Sequence, residues 1–202
     1  MDTASKDVLF TIAMNLELPD LLKWCESNSK IHRDVCNNDN VWRSKLLADY
    51  PDYRKFNLDR SLREIYVFLY QLSLIKILLN TKESLYEIFL RKEIDLKFKQ
   101  LTKVPAFDLP NLEILNLSDN NLRKVPAFNL PNLKYLYLNH NQLEKIPPFN
   151  LPNLRFLYIN SNKLTAIPDF ILPNLWGIHL YNNKFSPKEH EKIYKKFPNK
   201  VR

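Results

Sequence analysis

The side chains that most often carry out chemistry are few in this chain of 202 residues, and they lie far apart in sequence. None of the four histidines stands beside cysteines or carboxylates at the spacing of a metal site. Cys25 and Cys36 do not form a CxxC motif, so we expect two buried, reduced thiols. Gly177 is the only glycine, and no glycine-rich loop exists to cradle a phosphate group. We therefore predict a protein that is not an enzyme and that uses no metal or cofactor.

Aromatic side chains follow a spacing that predicts binding instead of catalysis. They stand two residues apart around a leucine, isoleucine or similar core residue, in segments that recur along the chain. Alternate side chains of a strand point to opposite faces, so this aromatic set points away from a leucine core. Tyrosine is enriched at the energetic centres of protein interfaces, although it also simply suits β-strands. The predicted binding residues are Tyr135, Tyr137, Phe156, Tyr158, His179 and Tyr181.

A repeat of 21 residues must position these side chains. Four segments align without gaps, from Leu101, Leu122, Leu143 and Leu164, and each contains the pattern LxxLxLxxN. A unit of this length cannot bury its own apolar face, so the units must stack, each adding one short parallel strand. The asparagine of the pattern is expected to turn inward and bond to backbone groups. Two prolines per unit exclude a regular helix on the return path, and one phenylalanine per unit predicts an interior column of Phe107, Phe128, Phe149 and Phe170.

This repeat resembles the leucine-rich repeat family. The resemblance implies a short right-handed solenoid with a parallel β-sheet on its concave face, where the aromatic residues would lie. Residues 93–100 are expected to cap the stack as a degenerate strand. At the other end, Ser186 and Glu189 predict a capping box that opens a helix. The residues expected to pack this helix onto the last unit are Ile193, Tyr194 and Phe197.

Gly177 leaves a gap in a column that Ile114, Tyr135 and Phe156 otherwise fill, and Trp176 stands beside it. This notch could receive a side chain of a partner. Alternatively, the C-terminal helix could fill the notch, with Trp176 as its support. The sequence leaves both interpretations open.

The N-terminal half shows apolar residues at helical spacing, then LPDLL, then a polar turn before VWR. This order resembles the F-box over residues 4–53, a family that docks on the Skp1 adaptor, although Ala4-Ser5 replaces the usual Leu-Pro start. The composition is similar to that of compact F-box and leucine-rich-repeat proteins of large DNA viruses that infect protists. The residues that match the motif and would bind Skp1 are Val8, Leu9, Ile12, Leu16, Leu21, Leu22 and Trp42.

The predicted fold class is α+β, in three segments. Residues 1–55 form a helical F-box-like domain, residues 56–92 form linking helices, and residues 93–202 form the leucine-rich repeats with their capping helix. No stretch of 18 apolar residues occurs, so we expect no membrane partner.

The leading hypothesis is a protein–protein interaction adaptor, the substrate-recognition subunit of a Skp1–cullin–F-box ubiquitin ligase. Its partners would be a Skp1-like adaptor and an unidentified protein target, and it would be a monomer outside that complex. It would act in the cytoplasm or nucleus, which the viral resemblance would make those of an infected host cell. The alternative is a stand-alone binding scaffold without ligase coupling.

Nucleic-acid binding is a minor alternative, because residues 101–202 hold 14 Lys and Arg against 7 Asp and Glu. Many of these basic residues fall outside the predicted strands, away from the aromatic residues. Examples on the return segments are Lys103, Lys124 and Lys145.

Overall fold

The structure is a computed structural model that describes residues 6–27 and 29–202 of the chain. Ala4 and Ser5, which stand where the F-box usually has Leu-Pro, lie outside the described residues. The chain divides into two compact units, Met1–Ser73 and Leu74–Arg202. The domain boundaries that the sequence predicts at residues 55 and 92 stay predictions.

Helices form most of the chain before the repeats, as the apolar periodicity predicts. Polar side chains fix where several of them begin: the Asn38 side chain accepts from the Asn40 amide, and Ser84 and Glu87 form a capping box. Within the described residues, no helix is long and apolar enough to cross a membrane. The helices are α1 (Lys6–Asn15), α2 (Leu18–Ser27), α3 (Ser29–Ile31), α4 (Asp39–Asp49), α5 (Leu62–Leu79), α6 (Leu85–Phe89) and α7 (Pro187–Lys196), with a π-helical turn at His32–Cys36 and a 3₁₀ turn at Tyr53–Phe56.

A buried lysine holds the C-terminal end of α1. Lys45 of α4 donates hydrogen bonds from Nζ to the carbonyl oxygens of Met14 (3.3 Å) and Leu16 (3.1 Å). A positive charge is favourable there because the helix dipole places negative charge at this end. The Asp49 carboxylate lies 3.6 Å from Nζ and accepts a hydrogen bond from the Tyr66 hydroxyl. The buried charge is therefore paired, as burial of an ammonium group requires.

A disulfide joins Cys25 to Cys36, with the two Cα atoms 6.0 Å apart. The prediction of two reduced thiols is therefore wrong. The π-helical turn reverses the chain beside α2, and this turn brings together two cysteines that lie 11 residues apart in sequence. Trp42 reinforces the same turn, because its Nε1 donates a hydrogen bond to the Cys36 carbonyl oxygen (2.9 Å).

Five strands form one parallel sheet in chain order. The register pairs Ile94 with Leu115, Leu115 with Leu136, Leu136 with Leu157, and Leu157 with Ile178. These central residues are fully buried, whereas the residues on either side of them face the opposite, open face of the sheet. The stacked solenoid and its degenerate first strand are thus confirmed. The strands are β1 (Glu93–Asp95), β2 (Ile114–Asn116), β3 (Tyr135–Tyr137), β4 (Phe156–Tyr158) and β5 (Gly177–His179).

The inward asparagines bond to the backbone of neighbouring units, as predicted. Asn141 donates from Nδ2 to the carbonyl oxygens of Leu117 (2.9 Å) and Leu138 (3.2 Å). Its Oδ1 accepts from the Leu122 amide (3.0 Å). One side chain therefore satisfies the Leu122 amide and shares the carbonyl oxygens of Leu117 and Leu138 with the asparagines of the adjacent units, Asn120 and Asn162. Equivalent bonds are made by Asn120, Asn162 and Asn183.

An aromatic column fills the interior between the strands and the return segments. Successive ring centroids of the column are each 5.7 Å apart. The return segments between the strands are extended and non-helical, as their prolines require. The predicted interior column is therefore confirmed for Phe107, Phe128, Phe149 and Phe170, and Phe197 lies against its last ring at 6.5 Å.

The residue before each inward asparagine has a left-handed backbone. These residues are mostly short and polar, types that tolerate positive φ better than branched residues do. His140 is exposed and belongs to this set. The φ angles are 54° at Asp119, 53° at His140, 54° at Ser161 and 55° at Asn182.

Helix α7 covers the last repeat, and its start is partly as predicted. The Ser186 side chain accepts a hydrogen bond from the Glu189 amide (3.2 Å), and Pro187 opens the helix. The predicted capping box is only half formed, because the Glu189 carboxylate lies 3.5 Å from the Lys192 ammonium. Ser186 therefore acts as an N-cap alone.

The buried side of α7 is narrower than predicted. Ile193 and Phe197 are buried. Tyr194 is exposed and stacks on His190, so the prediction that it packs onto the last repeat is wrong. A helix with a single short apolar stripe buries residues four apart, and the residue next to this stripe faces outward. Beyond the helix, Val201 pairs in parallel with Ile178 and extends the backbone pairing past β5.

Candidate protein-binding surface

An aromatic strip runs across the open face of the sheet. We define it as Tyr135, Tyr137, Phe156, Tyr158 and His179, all of which are half-buried. The rings of Tyr135 and Phe156 are stacked at 5.7 Å between centroids. The rings of Tyr137 and Tyr158 are stacked at 4.6 Å, and those of Tyr158 and His179 at 4.4 Å. Phe156 also stacks on Tyr158 at 6.3 Å, which joins the two columns of rings into one continuous stack over three repeats.

Strand register explains this stacking. Tyr135 is paired with Phe156, Tyr137 with Tyr158, and Tyr158 with His179. Neighbouring strands are about 4.8 Å apart, which is close to the preferred distance between stacked rings. The 21-residue period thus places ring on ring, and each ring covers part of the next without entering the core.

Tyr181 lies outside the stack. The sequence places it in the same set, but its side chain is exposed and stacks on no other ring of the described residues. Its carbonyl oxygen accepts a hydrogen bond from the Ser161 amide, beyond the end of β5. Its role in binding stays a prediction.

The strip carries no charge at neutral pH. Burial, followed by the nearby Arg202 charge, lowers the pKa of His179 from its ordinary value of 6.5, so the imidazole is neutral at pH 7. Burial, followed by the neighbours Tyr158, Tyr135 and Glu93, raises the pKa of Tyr137 above 10.0. The surface offered to a partner is therefore apolar ring faces together with neutral hydroxyl and imidazole groups.

The notch at Gly177 is already occupied. A Cβ placed on Gly177 would lie 3.1 Å from two ring atoms of Phe156. Neither a partner side chain nor the C-terminal helix fills this space; a ring of the aromatic strip does. Trp176 is 59% exposed and lies edge-on to Phe156 with centroids 6.1 Å apart.

Sequence reasoning missed a groove at the edge of the sheet where the strands begin. This edge groove has a volume of about 380 Å³. A signal was present: every unit contains LPN before its strand, and a column of long side chains follows two residues later. The lining residues are Asn132, Lys134, Asn153, Arg155, Asn174 and Trp176.

The seven residues that match the F-box pattern divide by exposure. Leu9, Leu21 and Trp42 are fully buried in the helical unit, where they support the surface without forming it. Val8 is 50% and Ile12 38% exposed, both on α1. A direct contact with an adaptor is therefore expected through these two, and the role of all seven stays a prediction. The half-buried remainder is Leu16 and Leu22.

The basic residues of the return segments do not share the strand positions that the aromatic strip occupies. Lys103, Lys124 and Lys145 are exposed and lie outside the strands. Across residues 6–27 and 29–202, no group of three or more His, Cys, Asp or Glu side chains is placed to hold a metal ion.

Comparison with known proteins supports the repeat assignment. The family profile described as Leucine Rich repeats (2 copies) matches residues 110–151 and 131–174. Residues 110–174 thus match the leucine-rich repeat type, and such repeats indicate a scaffold for protein–protein interaction. A search of curated protein sequences finds no match.

Among solved structures, YopM from Yersinia enterocolitica WA-314 is similar to this chain, with 22% sequence identity and a TM-score of 0.36. The match covers 66% of this chain and 37% of the YopM chain. The chain therefore corresponds to well under half of that protein.

Proposed function

We propose that this protein captures a protein partner on the aromatic strip. The observation that carries the proposal is the continuous stack from Tyr135 to His179, half-exposed on a face of the sheet where the core makes no demand for aromatic residues. Aromatic side chains lose little conformational entropy on binding and present large contact areas, which makes them frequent hot spots. The protein acts by binding and carries out no reaction itself.

Site-specific photo-crosslinking tests this capture. A photoreactive phenylalanine analogue placed at Tyr158 should crosslink to a discrete protein partner in the native cell. The same analogue at Tyr194, an exposed tyrosine on α7, serves as the matched control. Equal crosslinking to the same proteins from both positions would count against the strip as the binding surface.

We further propose that the helical unit couples the captured target to a Skp1-like adaptor of a ubiquitin ligase. Val8 and Ile12 support this role, because they are one helical turn apart on α1 and remain exposed, where apolar side chains suit a docking contact. A ligase subunit of this kind raises the effective concentration of the target near the ligase.

Co-precipitation with Skp1 at native expression tests the coupling. Wild-type protein should recover Skp1, and Val8→Asp combined with Ile12→Asp should lose it while keeping the partner of the aromatic strip. Absence of Skp1 from the precipitate of folded wild-type protein would contradict this proposal.

A stand-alone scaffold without ligase coupling is the second candidate, and the disulfide favours it. Disulfides persist in oxidising compartments and are rare in the reducing cytosol, where a Skp1-based ligase would operate. Mass spectrometry of protein alkylated directly in its native cell distinguishes the two. A fully formed Cys25–Cys36 bond favours the scaffold, and two alkylated thiols favour the ligase adaptor.

A further inference from the structure

The floor of the edge groove is a fixed ladder of amides. Asn132, Asn153 and Asn174 occupy the same position in successive repeats. Each donates from Nδ2 to a proline carbonyl oxygen of the preceding unit, at 2.8 Å, 2.9 Å and 2.8 Å. The amides are therefore held in place, and each keeps a second N–H and a carbonyl oxygen that can bond to a ligand.

The wall of the groove carries more positive than negative charge. Residues at the same position of successive units form a column of Lys92, Glu113, Lys134, Arg155 and Trp176. The Glu113 carboxylate accepts a hydrogen bond from Lys134 and lies 3.8 Å from the Lys92 ammonium. No carboxylate of the described residues forms an ion pair with Arg155. The column thus holds three cations and one acid.

Arg155 and Trp176 form a cation–π contact in the wall of the groove. The guanidinium carbon lies 4.8 Å from the centroid of the Trp176 ring, which is a cation–π distance. Stacking uses the flat face of the guanidinium, so its in-plane N–H groups remain suited to a carboxylate, which they can bind through two parallel hydrogen bonds. Trp176 itself is 59% exposed and offers an apolar surface beside that charge.

We propose that the edge groove binds an acidic segment of a protein partner, with a carboxylate on Arg155 and an apolar side chain against Trp176. Lys134 is already paired with Glu113, and the column carries an excess of only two positive charges, which suits one or two carboxylates better than a polyanion. Trp176 touches Phe156, so the groove is continuous with the aromatic strip. The statement that both surfaces hold the same partner rests on the proposed function above.

Selection of a random 12-residue peptide library displayed on phage tests the groove. Wild-type full-length protein should select peptides in which Asp or Glu is enriched at least about threefold over the unselected library, next to an apolar residue. Arg155→Glu should abolish this acidic preference. Arg123→Glu makes the same charge change at an exposed site outside the groove and should keep the preference.

Fluorine NMR of protein labelled with 5-fluorotryptophan then locates the bound peptide. A selected peptide should shift the Trp176 signal and leave that of the buried Trp42 unchanged, and Arg155→Glu should weaken binding at least tenfold. Acidic content equal to that of the unselected library, or peptide binding without a shift at Trp176, overturns the proposal.

This experiment tests the proposal for the aromatic strip and the proposal for the edge groove separately. The double variant Tyr137→Ala/Tyr158→Ala could leave the selected peptides unchanged while Arg155→Glu alters them. This outcome supports the groove as a binding site and contradicts the strip. If only the tyrosine variant alters the selected peptides, this outcome supports the strip as a binding site and contradicts the groove. Failure to select any peptide counts against both.

Discussion

At the scale of single residues, the same repeat position carries either structure or function. Asn141 is fixed by hydrogen bonds to four backbone groups, whereas the side chain of Tyr137, four residues earlier in the same unit, stacks on the Tyr158 ring. The period of 21 residues therefore places packing residues in one column of equivalent positions and surface residues in another. Substitutions in the two kinds of column should affect different measurements.

Asn141→Ala should lower the free energy of unfolding by about 1–3 kcal/mol, because it leaves the buried amide of Leu122 without a partner and removes one of the two side-chain donors to each of the Leu117 and Leu138 carbonyl oxygens. Denaturant unfolding measures this change. The control is Asn121→Ala, an exposed asparagine at the neighbouring position of the preceding unit, which should change stability by less than about 0.5 kcal/mol. Equal effects of the two substitutions would contradict the assigned role of the inward asparagines.

His179 should make the protein less stable as the pH falls below 6.5. Its pKa in the folded protein is lowered by burial and by Arg202, so the unfolded chain binds the proton more readily between that lowered pKa and 6.5. Protonation in this window therefore favours unfolding. NMR titration of the imidazole should show a midpoint below 6.5, and His179→Gln should remove the corresponding part of the pH dependence of unfolding. A midpoint above 6.5 would be inconsistent with a desolvated imidazole in the stack.

At the scale of elements, the ends of helices and of the sheet depend on a few polar or charged contacts. Lys45 closes the end of α1 from within α4, and Ser186 opens α7 over the last repeat. The Lys45 side chain is 3% exposed, and its ammonium replaces the capping groups that α1 would otherwise need at its last carbonyls. A contact of this kind stabilises the element that it caps more than the element that carries the capping side chain.

Lys45→Ala should destabilise the helical unit by about 2–4 kcal/mol, because it leaves buried carbonyl oxygens and Asp49 without the ammonium. Lys55→Ala is the matched control, since Lys55 forms an exposed ion pair with Asp52 that should contribute about 0–1 kcal/mol. Thermal unfolding followed by circular dichroism measures both. Similar melting temperatures for the two variants would show that Lys45 is not the capping group.

At the scale of the whole molecule, the burial pattern of the repeats could be predicted from the sequence, whereas the first half could be predicted to be helical but its disulfide could not. Four aligned copies fix which side chains are buried, because any error would recur four times and break the stack. The Cys25–Cys36 pairing depends on a π-helical turn that the periodic pattern of apolar residues does not predict. Likewise, the filling of the Gly177 notch depends on the rotamer of Phe156, and the edge groove depends on the Arg155–Trp176 contact.

The disulfide should stabilise the unit that contains it and leave the aromatic strip unaffected. Closing a loop of this length lowers the entropy of the unfolded chain enough to contribute about 3 kcal/mol. Cys25→Ser with Cys36→Ser should therefore lower the melting temperature of the Met1–Ser73 unit. Binding to the strip, measured on the same variant below that temperature, should be unchanged. A loss of strip binding in the folded double variant would contradict the independence of the two.

The central claim is that the aromatic strip binds the partner, and quantitative affinity purification from the native cell tests it most directly. Wild-type protein is compared with Tyr137→Ala/Tyr158→Ala and with Tyr194→Ala, each confirmed to be folded by its unfolding transition. The strip variant should lose at least about tenfold of the specifically recovered partner, which corresponds to the loss of a hot spot, while Tyr194→Ala recovers it in full. Recovery of the same partner in equal amount by the strip variant would contradict the account.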